Sequence, residues 1–126
     1  MSEEKRPRIL IADRQLATLL SLDDLLSLEG YWVTTCSSSS EALKAVARTR
    51  LDLVIVGRVG PDRHATLVSK IKTISPETNV LVLTESDEDS ILAESIAAGA
   101  DGLLRKPYSE SQVIERVNRL LQVVQT

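Results

Sequence analysis

Short aliphatic runs alternate with stretches of helical period along almost the whole chain. Arg8–Ala12, Trp32–Cys36, Asp52–Val56, Asn79–Leu83 and the shorter Asp101–Leu104 predict five strands, most of them buried on both faces. Helix start signals fall between them. Ser38 precedes Glu41 by three positions and Ser109 precedes Gln112 by three, the spacing of a capping box. Ser86 and Asp89 form a looser version, because Asp is shorter than Glu. Gly30 and Gly99 stand where helices should end on a left-handed residue. Strict alternation of five strands and five helices predicts an α/β fold, a parallel sheet with helices on both faces. Right-handed crossovers leave only a few topologies. We adopt the order 2-1-3-4-5, which alternation alone does not fix.

The first helix, over Gln15 to Glu29, departs from a simple amphipathic pattern. Leucines at 16, 19, 20, 22, 25, 26 and 28 pass nearly all the way round it. The stripe Leu19, Leu22, Leu25 and Leu26 suffices to cover a sheet, so Leu16, Leu20 and Leu28 are surplus. They are either scattered surface leucines of the ordinary kind or a face for self-association or a partner.

At 126 residues the chain is expected to be one domain, residues 1–126, either a free-standing adaptor or one domain of a longer protein. The apolar fraction of 43% is carried almost wholly by aliphatic residues, with no Phe, one Trp and two Tyr. That favours a sheet packed between helices over a nucleic-acid reader built on stacking aromatics. A net charge of −3 with scattered basic residues gives no electrostatic footprint for nucleic acid. Cys36 is alone, which excludes an internal disulfide. Neither a signal-peptide pattern nor a run of bilayer length is present, and the expected location is the cytoplasm.

In an open parallel sheet, function collects outside the carboxyl ends of the strands. Those ends carry Asp13-Arg14, Gly57-Arg58, Thr84-Glu85 and Lys106-Pro107. Ordered matches run through Ile9-Leu10-Ile11-Ala12-Asp13, Glu29-Gly30-Tyr31, Ser40-Glu41-Ala42-Leu43 and Leu51-Asp52-Leu53-Val54-Ile55-Val56. They continue in the Gly60-Pro61 loop, Thr84, Gly99-Ala100-Asp101 and Lys106-Pro107-Tyr108. Along this length the chain resembles the receiver domain of bacterial response regulators in two-component signalling, the family of the chemotaxis regulator. The resemblance implies a flavodoxin-like (βα)5 three-layer sandwich. It also implies phosphoryl transfer from a histidine kinase to an aspartate ending the third strand. Two acidic residues after the first strand join that aspartate in holding magnesium, while a threonine and a lysine clamp the phosphate oxygens.

Against that pattern, Asp13 and Thr84 match, as do Lys106 and Pro107. Arg14 replaces the second acid, and Gly57 stands at the acceptor position with no side chain to phosphorylate. Arg58 adds a second cation, Glu85 replaces a small residue, and Leu103 stands where an aromatic often switches with activation. These departures lead us to expect loss of magnesium binding. They point to a non-enzymatic pseudo-receiver, independent of phosphorylation, that serves as a protein–protein interaction or dimerisation module. Its candidate partner surface includes Leu16, Leu20, Leu28, Leu103 and Tyr108, with no nucleic acid or membrane bound directly. Two alternatives stand beside this: a phosphorelay receiver using Asp13 or Glu85 as an unorthodox acceptor, and a flavodoxin-like binder of a small anion, flavin or nucleotide. The degenerate pocket is expected to close into an ion-pair cluster, with Lys106 on Asp13 or Glu85 and Arg14 or Arg58 on the other acid. His64 reads as a solvated or helix-starting histidine. Asp52, at the wrong end of its strand, and Asp62 and Asp87, in loops, make poor substitute acceptors.

Overall fold

The computed structural model describes residues 6–60, 63–85 and 89–122, without the side chain of Asp89. Its strands are β1 (Arg8–Ala12), β2 (Trp32–Cys36), β3 (Leu53–Val56), β4 (Asn79–Thr84) and β5 (Gly102–Arg105). The helices are α1 (Leu16–Leu28), α2 (Ser39–Arg48), α3 (His64–Ile74), α4 (Asp89–Ala97) and α5 (Glu110–Leu120). All four strand pairings are parallel, and the sheet order is β2-β1-β3-β4-β5 as expected.

Two cores flank the sheet because neighbouring residues of a strand point to opposite faces. Ile9, Ile11, Leu53, Ile55, Leu81 and Leu83 pack with Leu19, Leu22 and Leu26 of α1 and Val113 and Val117 of α5. Leu10, Ala12, Val54, Val56, Val80 and Val82 face α2 and α3 instead. The α1/α5 side thus receives Ile and Leu, while the α2/α3 side receives mostly Val. Leu25, placed in the covering stripe of α1, is partly buried against that helix's core. The three surplus leucines are exposed: Leu16 at 66%, Leu20 at 57% and Leu28 at 85%.

The helix signals hold with one adjustment. At α5 the box is complete: the Ser109 hydroxyl accepts from the Gln112 amide, and the Gln112 side chain accepts from the Ser109 amide. At α2 the Ser38 hydroxyl accepts from the Glu41 amide, but the Glu41 carboxylate takes the hydroxyl of Ser38 rather than its backbone N–H. Ser86 lies outside the described residues. Gly30 and Gly99 have φ of +95° and +113°, the left-handed values their places after α1 and α4 require.

Candidate functional site at the carboxyl edge of the sheet

The ends of β1, β3, β4 and β5 meet in one cleft of about 800 Å³. Its lining includes Arg14, Gly57, Arg58, Thr84, Glu85 and Lys106, so six of the eight predicted pocket residues share it. Asp13 lies beneath, fully buried. Pro107 follows Lys106 through a cis peptide bond and is exposed.

Asp13 has a different partner from the one expected. Its Oδ1 accepts from the Gln15 amide at 2.8 Å and its Oδ2 from the Arg58 amide at 3.4 Å. Neither guanidinium takes it among the described residues, so the full ion-pair cluster does not form. The reason is local: the chain turns immediately after β1 and β3, and main-chain donors at the turns reach the carboxylate first. The same turns are tied together by the Arg14 amide donating to the Arg58 carbonyl at 2.8 Å. Lys106 does pair with Glu85, at 3.7 Å, with the lysine side chain 23% exposed.

Gly57 has a steric meaning. A Cβ built on it would lie 2.0 Å from Asp13 Oδ2 and 2.9 Å from its Cγ. The Asp13 carboxylate therefore occupies the space into which any side chain at 57 would grow. Similarly, a Cβ on Gly60 would meet Arg14 Nη1 at 3.0 Å, so the Arg14 side chain lies across a position left bare.

Further cleft residues, Arg63, Glu94 and Ser95 among them, were not singled out by sequence. Arg63 and Glu94 form an exposed pair at 3.8 Å, and Ser95 is buried. His64 opens α3, as one of its two expected readings has it, and is half-buried rather than fully solvated. It lines the cleft, and its Nε2 is buried without a hydrogen-bond partner. Burial chiefly lowers its pKa; a backbone hydrogen bond at Leu83 and the Asp13 charge act the other way, and Arg58 and Lys106 add to the lowering. A usable signal existed: a helix that follows β3 directly must start at the same sheet edge. Tyr108 is partly buried on the α1/α5 side, and its pKa is raised by burial and then by Asp13. Leu103 is partly buried against the opposite core. Asp52 is far from all this, accepting from the Arg8 amide at 2.7 Å at the other end of the sheet. Asp62 and Asp87 lie outside the described residues.

Comparison with known proteins decides the family. The model of the response regulator receiver domain matches residues 9–118. The chain belongs to that family. This receiver domain is 31% identical over 122 residues to the probable transcriptional regulatory protein TcrX of Mycobacterium tuberculosis, covering 88% of this chain and 52% of that one. It is 33% identical over 116 residues to the response regulator MprA of Mycobacterium leprae, covering 91% and 51%. The chain thus spans about half the length of these curated relatives. Among solved structures, a CheY-like receiver domain protein from Methanospirillum hungatei superposes with a TM-score of 0.90 at 24% identity, covering 94% and 95% of the two chains. The signal receiver domain of an HD domain-containing protein from Pseudomonas fluorescens gives 0.88 at 28%, covering 94% and 88%. Receiver domains are signalling modules of two-component systems, and their fold is the one described above. No helix among the described residues is long and apolar enough to cross a membrane.

Proposed function

We propose that this receiver domain signals without being phosphorylated at the end of β3, as a module that binds other proteins. One observation carries the reading: the Asp13 carboxylate fills the space beside Gly57 where an acceptor side chain would stand. Nothing at 57 can attack a phosphoryl group, and the nearest carboxylate is fully buried with both oxygens accepting from backbone amides. Glu85, the other conceivable acceptor, is engaged by Lys106.

The residues present do not fit a magnesium ion. A small hard dication wants several oxygen ligands in octahedral array. Here Asp13 is the one carboxylate of the expected set, its oxygens already hydrogen-bonded, and Arg14 brings positive charge to the place of a ligand. The partner surfaces on this reading are the α4–β5–α5 face, with Leu103 and Tyr108, and the exposed leucines 16, 20 and 28 of α1. The scattered basic residues and net charge of −3 favour a protein partner over nucleic acid.

Incubation with acetyl phosphate and magnesium, followed by intact mass and amide NMR, tests this. The expected result is no phosphoryl adduct and no magnesium-dependent shift around Asp13, Gly57, Thr84 and Lys106. A stoichiometric adduct on Asp13 or Glu85 would overturn the proposal and establish an unorthodox phosphorelay.

A further inference from the structure

The cleft has a feature that loss of phosphorylation does not account for. Among the described residues, four basic side chains line it, Arg14, Arg58, Arg63 and Lys106, against two acidic ones, Glu85 and Glu94. Lys106 is held by Glu85 and Arg63 by Glu94. That leaves Arg14 and Arg58 with no carboxylate within ion-pair distance among the described residues. Asp13, beneath them, takes its hydrogen bonds from the main chain. Two guanidiniums without a carboxylate partner among the described residues therefore share one concave site on a chain whose net charge is −3.

We infer that this cleft binds the phosphate dianion of a small molecule non-covalently, gripped between Arg14 and Arg58. The placement is partly preset. The two arginines leave backbone segments tied by the Arg14-to-Arg58 hydrogen bond of 2.8 Å, and Arg14 reaches across the bare Gly60. Guanidinium forks suit oxyanions, since each presents several N–H donors in a plane and keeps its charge at any physiological pH. A cleft of about 800 Å³ exceeds what inorganic phosphate fills, and Val59, Leu83 and Ile91 supply apolar wall for the rest of a phosphorylated molecule. Thr84 and Lys106, which match the family's usual phosphate clamp, line the same cleft, but the inferred grip comes from Arg14 and Arg58. Its leading donors stand at positions where the family pattern has other residues.

The test is a titration of the metal-free protein, at fixed ionic strength, with inorganic phosphate and separately with a nucleoside monophosphate, read by amide NMR. Saturable shifts at Arg14, Arg58 and Gly60 are expected with both, and tighter binding of the nucleotide would identify a phosphomonoester as the ligand. Arg14→Gln and Arg58→Gln should each weaken binding about tenfold, the scale of one charge-assisted hydrogen-bonded contact. Arg48→Gln, at the opposite edge of the sheet, should leave it unchanged. Absence of saturation, or equal weakening by all three variants, would overturn the inference and leave the two arginines as solvated surface cations. Neither ligand is a phosphoryl donor, so a covalent adduct in the acetyl phosphate experiment remains a separate outcome.

Discussion

Asp13 and Gly57 act as a fitted pair, and each explains the other. A buried carboxylate must find donors or lose its charge, and here it finds them on the main chain because position 57 has no side chain to hold it off. Gly57→Ala would drive a methyl into Asp13 Oδ2 and break this arrangement. The expected cost is about 1–3 kcal/mol by urea denaturation, the usual scale of overpacking. Unchanged stability would mean that Asp13 moves aside freely. His64 gives a second test at this scale. Its folded pKa lies below the ordinary imidazole value of about 6.5, so the unfolded chain takes up the proton first as pH falls. Stability should therefore decline as pH drops from about 6.5 towards the folded pKa and level off below it. His64→Gln should remove that segment of the stability–pH curve, measured against wild type. Strand ends and family pattern marked eight residues, of which six line one cleft. The sequence misassigned the partner of Asp13, because residue types do not disclose which backbone amides a turn will aim.

At the scale of elements most of the chain was legible. The aliphatic runs predicted β1 and β2 to the residue, and the other strands shifted by at most one at either end. Serine spacing found the start of α5, whose capping box is complete. Ser109→Ala should cost about 1 kcal/mol, seen as a lower urea midpoint with unchanged slope. A null effect would mean that packing of Val113 and Val117 alone fixes the helix start. The Glu41 side chain was the miss: a hydroxyl and a backbone amide lie within its reach, and spacing cannot choose between them. The covering stripe of α1 was correct because burial follows helical period once one face must meet the sheet.

For the molecule as a whole the open matter is what the exposed leucines of α1 meet. Leu16 and Leu20 are one turn apart on the side away from the sheet. Sedimentation of wild type beside a Leu16→Glu, Leu20→Glu double variant decides whether a second copy covers them. On the self-association reading, wild type runs larger than a monomer and the variant runs as one. Two monomers would remove that role from the face. The unequal loading of the sheet's two sides has a consequence of a different sort. Sliding a strand by one residue turns every side chain to the other face. In β3 and β4 that would press Ile and Leu into room cut for Val and leave gaps where the larger residues belonged. The chain thus carries a built-in proofreading of strand alignment, and a misregistered sheet would be rejected by volume on both sides at once.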